Sequence, residues 1–345
     1  MDRSLSLARG QLRVAPLMAL PRLMESLGGS LAPILRELNI SPALLQQPEN
    51  SIPMVTLGRI LERAAQQLHC EHLGLLLGYY SGVAQLGPVA QVMGMMPTVG
   101  QALEAAQQML YLHDRAAIVT LRHVDGYAAL GYGVFEGSFS GLSLIQDAAL
   151  MIALRIMQDL CGPTWRPEAL HFSHRPPTRP EKYEQLMGAP CHFNSLNNEL
   201  LFPSEVLARV LPTGLPGLAG VECAANPAGH LALAERAQVA IYAQLLSGKC
   251  CQADIAQHLG LSTRSLNRQL ELEGASYFSI VDVARYAISK RLLKETDLSV
   301  KAVAAMLAYT DAGSFNRAFR RWSGLPPSQW RALRRNCLQV LRQPL

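Results

Sequence analysis

The segment from Ile255 to Arg331 contains one short pattern twice, and this repeat constrains the fold more than any other feature. The stretches 255–270 (IAQHLGLSTRSLNRQL) and 303–319 (VAAMLAYTDAGSFNRAF) each indicate a helix, a tight turn and a second helix. The apolar residues of the first helix recur 48 residues later, and the turn of the second copy has one extra residue. A helix-turn-helix can place its second helix in the major groove of DNA. Two in tandem can read two successive grooves.

The first copy carries the residues that such a motif needs. Gly260 stands where the chain must turn, because glycine tolerates positive φ, and Ser262 is a good N-cap for the next helix. Leu266 and Leu270 form an apolar stripe, which leaves on the outer face Arg264, Ser265, Asn267 and Arg268. Arginine can bind guanine bidentately and asparagine can bind adenine. The alternative is an ordinary helical hairpin with a solvated polar face.

The second copy makes that alternative weaker. It has its own cap at Ser299, and its second helix presents Asn316, Arg317, Arg320 and Arg321. Between the copies, residues 276–295 show helical periodicity. Twenty residues of helix span about 30 Å, close to the roughly 34 Å repeat of DNA. We therefore expect a long connector helix that holds both motifs on one face of a duplex.

From about 232 to 337 the sequence resembles the DNA-binding domain of AraC/XylS-type bacterial transcription regulators. The resemblance is carried by 255–268, by the connector motif 285–293 and by SFNRAFRRWSGLPPSQWR at 314–331. It implies groove-facing positions for Arg264, Asn267, Arg268 and Arg317, and phosphate contacts for Arg320 and Arg321. The DNA-binding residues expected in total are Ser262, Arg264, Ser265, Asn267, Arg268, Ser314, Asn316, Arg317, Arg320 and Arg321.

Two departures from the family pattern lie in the second copy. The family usually has Gly-Phe where this chain has Ala308-Tyr309, and alanine in a left-handed turn costs about 1 kcal/mol. At the start of the second helix, Ala312 and Gly313 offer no side-chain hydrogen bonds. We therefore expect the second copy to position the protein on DNA rather than to specify bases.

Charge and cysteine content agree with DNA binding inside a cell. Residues 231–345 hold 16 Lys/Arg and 8 Asp/Glu, a net charge of +8, whereas residues 1–230 hold 15 and 18, a net charge of −3. A basic C-terminal domain on a slightly acidic N-terminal one fits binding to DNA at one end. The seven cysteines form no C-x-x-C pair, which is typical of reduced thiols in the cytosol. The uncharged stretch 73–103 is broken by prolines and glutamines, so we expect core elements rather than a membrane span.

The preceding residues predict a mixed α and β domain. Asp125-Gly126 is a type I′ turn signal between two β-rich runs, residues 142–160 form a helical pattern, and 169–174 and 192–194 favour strands. Matches that include 91–103, 162–177 and 183–195 are similar to the arabinose-binding-type N-terminal domain of one AraC subfamily. The expected organisation is a tail (1–20), an effector-sensing and dimerisation domain (21–210), a Pro/Gly-rich linker (211–231), the double helix-turn-helix domain (232–337) and a C-terminal tail (338–345).

Other chemistry has little support. The chain lacks the common hydrolase, metalloprotease and nucleotide-binding motifs. His69 and His72 share a helix face, but a metal would need partners that the sequence does not identify, so neither a metal nor a cofactor is expected. Pro190-Cys191-His192 resembles the reactive tripeptide of DNA alkyltransferases, although Phe193 replaces the arginine that follows there. A DNA-tethered repair enzyme using Cys191 is thus the alternative, and a depressed thiol pKa would favour it.

The expectation is an α+β effector and dimerisation domain followed by an all-α domain with two helix-turn-helix motifs joined by a long connector helix. The resemblance implies a cytoplasmic, nucleoid-associated regulator and not an enzyme. Its partners would be double-stranded promoter DNA, RNA polymerase, a small-molecule effector and a second copy of the chain, with no membrane involved. The effector residues are not identified by the sequence. A ligand-independent architectural DNA binder is the third interpretation.

Overall fold

The computed structural model describes residues 10–212 and 231–340, without the side chains of 335–340. These residues form two compact units, one mainly before and one mainly after the predicted linker. Most of that linker, 213–230, lies outside the described residues, as do 1–9 and 341–345.

The first unit combines helices with two sheets. The helices are α1 Leu20–Ser26, α2 Leu31–Glu37, α3 Met54–Leu68, α4 Leu73–Tyr79, α5 Pro88–Gly94, α6 Val99–Met109, α7 Leu142–Cys161 and α8 Pro180–Met187. The strands are β1 Gln11–Arg13, β2 Ser51–Pro53, β3 Ala117–Val124, β4 Tyr127–Val134, β5 Ala169–His171, β6 Cys191–His192 and β7 Asn198–Pro203. β1 and β2 pair with each other, and the larger sheet has the order β3-β4-β7-β5-β6 with only β5 and β6 parallel. The predicted α+β class is confirmed.

The predicted hairpin is the edge of the larger sheet. Val124 pairs with Tyr127, so the turn contains only two residues. Both have positive φ, 47° at Asp125 and 84° at Gly126, as a type I′ turn requires. The turn therefore fixes the register of β3 and β4, which in turn fixes which side chains of β4 face the core.

The predicted helix at 142–160 is α7, and it is the central element of this unit. It packs against α3 and α4 on one side and against β4 and β7 on another, which explains why apolar residues occur around much of its surface. Gly74 and Gly78 of α4 bring the two helices into backbone contact. A Cβ at either glycine would clash with the carbonyl oxygen of Leu144 or Ala148.

The predicted tail at 1–20 is wrong for its described part. Residues 11–13 form β1, paired with β2, and Leu12, Val14 and Leu17 are buried in the core. A three-residue strand is too short for alternation to reveal. The first unit therefore begins before residue 21.

The uncharged stretch 73–103 forms α4, α5 and the start of α6, within the apolar core of this unit. Helices long and apolar enough to span a bilayer are not found within 10–212 or 231–340.

The second unit is helical throughout the described residues after 230. Its elements are α9 Leu233–Leu246, α10 Gln252–His258, α11 Thr263–Leu272, α12 Tyr277–Glu295, α13 Val300–Met306, α14 Ala312–Ser323 and α15 Pro327–Val340. α12 is the predicted connector, and its 19 residues span about 28 Å at the standard rise per residue. α15 continues past 337, into the segment predicted as a C-terminal tail.

A group of mostly buried polar side chains joins β1, β4 and the segment just before β3. The Tyr132 hydroxyl donates to Asp114 Oδ2 at 2.6 Å, and the Ala116 N–H donates to Asp114 Oδ1 at 2.8 Å. Arg13 Nε donates to the Leu112 carbonyl at 2.9 Å. Burial raises the pKa of Asp114 to about 6, and burial beside Arg13 lowers the pKa of His113 to about 4. We call Arg13, His113, Asp114 and Tyr132 the polar corner.

The two shifted groups have opposite effects on stability. The Asp114 carboxyl holds its proton more tightly when folded, so its contribution is complete below its ordinary pKa of 3.8 and is lost as pH rises to about 6. The His113 imidazole holds its proton less tightly when folded, so stability is lost as pH falls from 6.5 to about 4. Between pH 4 and 6 stability therefore falls with pH through Asp114 and rises with pH through His113, and these two slopes largely offset each other.

We expect Asp114→Asn to remove one of these slopes. The free energy of unfolding of the variant relative to wild type should rise by roughly 2–3 kcal/mol from pH 4 to pH 6, because only wild type loses the carboxyl contribution there. Urea denaturation at each pH, followed by circular dichroism, measures the difference. A difference that stays constant across this pH range would mean that the Asp114 pKa is not raised.

Candidate nucleic-acid interface

The first copy of the motif consists of α10 and α11. The turn between them has Gly260 at a φ of 70°, and the next residue, Leu261, donates its N–H to the Ala256 carbonyl at 2.8 Å. Leu266 and Leu270 are fully buried, as the apolar stripe predicts. The first copy is therefore a helix-turn-helix with the opposite face of α11 free of core contacts.

The second copy consists of α13 and α14 and repeats this geometry with a different residue in the turn. Ala308 stands at the position equivalent to Gly260 and has a φ of 59°. The following N–H, of Tyr309, donates to the Ala304 carbonyl at 3.1 Å. Phe315 and Phe319 fill the core positions of α14. The left-handed alanine that the sequence predicts is confirmed.

The N-caps of the two second helices differ in charge. The Ser262 hydroxyl accepts the Ser265 N–H at 3.1 Å at the start of α11. Asp311 takes this role in α14, where its carboxylate accepts the Ser314 N–H at 2.7 Å and the Ser314 hydroxyl at 2.6 Å. These bonds from Ser314 lower the pKa of Asp311. The N-terminus of α14 therefore carries an exposed negative charge that α11 lacks.

The predicted DNA-binding residues of α11 do not all have the same surroundings. Arg264 and Arg268 are exposed, whereas Ser265 and Asn267 are half-buried. The Asn267 Oδ1 accepts a hydrogen bond from Gln252 Nε2 of α10 at 2.7 Å. This bond fixes the orientation of the Asn267 amide and leaves its NH₂ group to donate elsewhere. The role of Gln252 could not be predicted from helical periodicity, because it depends on the packing of α10 against α11.

Two of the predicted residues of α14 are held by contacts within the unit. Asn316, Arg317, Arg320 and Arg321 are all exposed. Arg317 donates to the Ser314 hydroxyl at 3.0 Å, and Arg321 forms an ion pair with Asp282 of α12 at 2.8 Å. An exposed ion pair of this kind contributes little to stability, so Arg321 can exchange Asp282 for a phosphate at small cost.

Aromatic packing fixes α14 on α12 and α15. The Phe319 ring contacts Tyr286 of α12 and Trp330 of α15, with centroid distances of 5.7 and 5.8 Å. Arg285 of α12 lies over the Tyr309 ring at 4.6 Å. The buried face of α14 is thus attached to the connector by rigid rings, which hold its exposed face in place. For the first copy, α9 supplies an additional packing surface that the sequence pattern did not predict.

The alternative chemistry does not fit the geometry. Cys191 is partly buried, and burial with nearby carboxylates raises the pKa of its thiol to about 12. A nucleophilic cysteine needs a depressed pKa, so this thiol is in the wrong state for alkyl transfer. The described residues include no cluster of three or more metal-ligating side chains, so His69 and His72 remain without the further ligands that a metal would need.

Comparison with known proteins places both units in one class. The model of the arabinose-binding domain of AraC transcription regulators matches residues 28–211, more than half of the chain, and a helix-turn-helix domain model matches residues 255–333. The chain is 27% identical over 316 residues to the transcriptional regulator VirS of Mycobacterium tuberculosis, covering 90% of this chain and 93% of that protein. It is 26% identical to the ornithine utilization regulator of Pseudomonas aeruginosa, covering 91% and 94%. The crystal structure of the regulator CdpR from Pseudomonas aeruginosa is 20% identical, covers 88% and 96%, and has a TM-score of 0.39.

We expect Ala308→Gly to stabilise the second unit by roughly 0.5–1 kcal/mol. Glycine removes the strain of a left-handed alanine, and part of this gain is offset by the greater entropy of the unfolded chain. The matched control is Ala305→Gly, an exposed position within α13, where the same change should destabilise by about 0.5–1 kcal/mol. Chemical denaturation measures the change in the free energy of unfolding for each variant. An equal loss of stability in both would contradict the strain assigned to Ala308.

Proposed function

The chain belongs to the AraC family of transcription regulators, and from this premise we propose a division of labour between its two helix-turn-helix copies. α11 reads bases through Arg264, Asn267 and Arg268, with Ser262 and Ser265 at its N-terminus. α14 contacts the backbone of the same duplex through Ser314, Asn316, Arg317, Arg320 and Arg321. Sequence-specific control of transcription then depends mainly on the first copy.

The difference between the two N-caps carries this proposal. The first turn of the second helix in such a motif approaches the bases and the phosphates. Free N–H groups and a positive dipole attract anions there, and a neutral serine cap leaves that attraction intact at α11. The Asp311 carboxylate opposes it at α14. Ala312 and Gly313 add no base-reading side chain, which leaves arginines further along the helix to bind phosphates.

The first unit supplies control by a small molecule, as the arabinose-binding-type domain implies. We propose that this unit also forms the dimer and that the bound protein contacts RNA polymerase at a promoter in the cytoplasm, associated with the nucleoid. Dimerisation raises the effective concentration of the second DNA-binding unit, so an effector that changes the dimer changes occupancy of the operator. Sedimentation of the full-length protein tests the dimer, and in vitro transcription with purified polymerase tests the contact.

We expect Arg268→Ala to weaken binding to the cognate operator by about 1–3 kcal/mol and to relax the preference at one base pair, because a bidentate base contact is lost. Binding arrays on randomised operators at fixed salt measure both effects. Arg59→Ala makes the same change on an exposed face of α3 in the other unit and should leave the array unchanged. Equal losses on cognate and random DNA would show that Arg268 contacts only phosphate.

We expect Asp311→Ser to raise operator affinity roughly two- to fivefold, most strongly at low salt, because it removes a negative charge and retains an N-cap. The reverse change, Ser262→Asp, should weaken binding in the first copy. Titration of one operator with each variant at several salt concentrations provides the comparison. Unchanged affinity in Asp311→Ser would place the α14 N-terminus away from the duplex.

A further inference from the structure

A cavity of about 120 Å³ lies in the core of the first unit. Its walls are mostly aliphatic side chains from helices α3, α4, α6 and α7 and from strands β3 and β4. The helical ones include Leu57, Leu61, Leu103, Ile145, Ile152 and Ile156. Small residues on α7, such as Ala149 and Ala153, leave the space open. A well-packed core rarely contains a void of this size, so the cavity needs an explanation.

The cavity is polar at one end only. There it meets the polar corner, which comprises Arg13, His113, Asp114 and Tyr132. The Asp114 carboxylate already accepts the Tyr132 hydroxyl and the Ala116 N–H. Arg13 Nε is bound to the Leu112 carbonyl. Most of the polar atoms at this end therefore have partners within the protein.

His113 is the exception. Its side chain is only 6% exposed, and its Nδ1 atom is buried without a hydrogen-bond partner. A buried polar atom left unpaired is costly, and such atoms are rare in folded proteins. The imidazole lines the cavity, so a molecule inside the cavity can supply the missing partner.

We propose that this cavity binds a small, uncharged and mostly apolar molecule with a single hydroxyl group, of the phenol or short-alcohol class, whose hydroxyl hydrogen-bonds to the His113 imidazole. The volume of about 120 Å³ is of the same order as that of an engineered apolar cavity of about 150 Å³ in another protein, which holds benzene. The role of this molecule as the effector rests on the proposed function. Its binding to the cavity does not, because binding requires no DNA.

The charges of the polar corner select an uncharged ligand. Arg13 and Asp114 are opposite charges at the same end of the cavity, so an anion approaches a carboxylate and a cation approaches a guanidinium. Burying an ion that is not well paired costs far more than burying a neutral hydroxyl. A neutral head group with one hydrogen bond avoids this cost.

The walls exclude a sugar, although the domain resembles an arabinose-binding one. A pentose has hydroxyl groups around its whole ring, and each needs a hydrogen-bond partner when it leaves water. This cavity offers such partners at one end, and the rest of its lining is apolar, mostly leucine, isoleucine and alanine side chains. A sugar would leave most of its hydroxyls unpaired.

The test uses three probes on the full-length protein without DNA: phenol, toluene and D-arabinose. Isothermal titration calorimetry or ligand-observed NMR should show saturable binding of phenol and no binding of arabinose. His113→Leu keeps a side chain of similar size but removes the hydrogen bond. It should weaken phenol about tenfold or more and leave toluene within about threefold.

A pair of alanine variants locates the binding. Ala153→Leu places a larger side chain at the cavity wall and should abolish binding of phenol and toluene together. Ala65→Leu makes the same change at a half-buried position of α3 that does not line the cavity, and should leave both unchanged. Circular dichroism confirms that each variant is folded.

Three results would overturn the assignment: arabinose binding in place of phenol, phenol binding that survives Ala153→Leu, or equal losses of phenol and toluene in His113→Leu. A separate titration of the operator with and without phenol tests the regulatory part. Phenol binding that does not change operator affinity would support the cavity assignment and overturn its role as the effector site, while leaving the DNA-binding proposal intact.

Discussion

The burial of α12 is the interaction on which the DNA-binding unit depends. Ile288 and Leu292 are fully buried, and α12 packs against α9, α13 and α15. Each helix-turn-helix copy alone has only a small apolar core, with two buried residues in α10 and two in α11 for the first copy, and two in α13 and three in α14 for the second. Further packing comes through neighbouring helices: α9 packs on both α10 and α11 of the first copy and on the connector, and α15 packs on both α14 of the second copy and on the connector. The exposed residues of α11 and α14 therefore keep a fixed spacing that follows from packing in the connector rather than from either copy.

The parts of the fold that depend on neighbouring residues were predictable from the sequence. The turn of the first copy, the left-handed Ala308, the connector and the Asp125-Gly126 hairpin all follow from local backbone preferences and periodicity. The tail predicted at 1–20 failed because β1 gains its stability from β2, some 40 residues later, and three residues carry too little pattern. The outward position of most candidate DNA contacts also follows from periodicity, although their contact with DNA stays a prediction.

The features on which the two proposals rest could be identified only in the structure. Asp311 is identifiable as the equivalent of Ser262 by alignment of the two copies, but its tight bonds to Ser314 are not visible in the pattern. The polar corner joins residues 13, 113, 114 and 132, which are brought together by pairing of β1 with the segment before β3 and by the β3–β4 register. Long-range contacts of this kind leave no periodic signal. The unpaired Nδ1 of His113 results from the packing of the interior, and the residues near His113 in the sequence do not indicate it.

The glycines at the contact between α4 and α7 determine how the first unit can change shape. No side chains lie between the two backbones at Gly74 and Gly78, so no rotamer change can let one helix slide past the other. The two helices move as one rigid body. Gly58 of α3 makes a similar contact, because a Cβ there would clash with the carbonyl oxygen of Ser140 just before α7. Any widening of the core must then come from elements outside this group of three helices, such as α5 and α6, which pack against each other, with α6 also packed against β3 of the larger sheet.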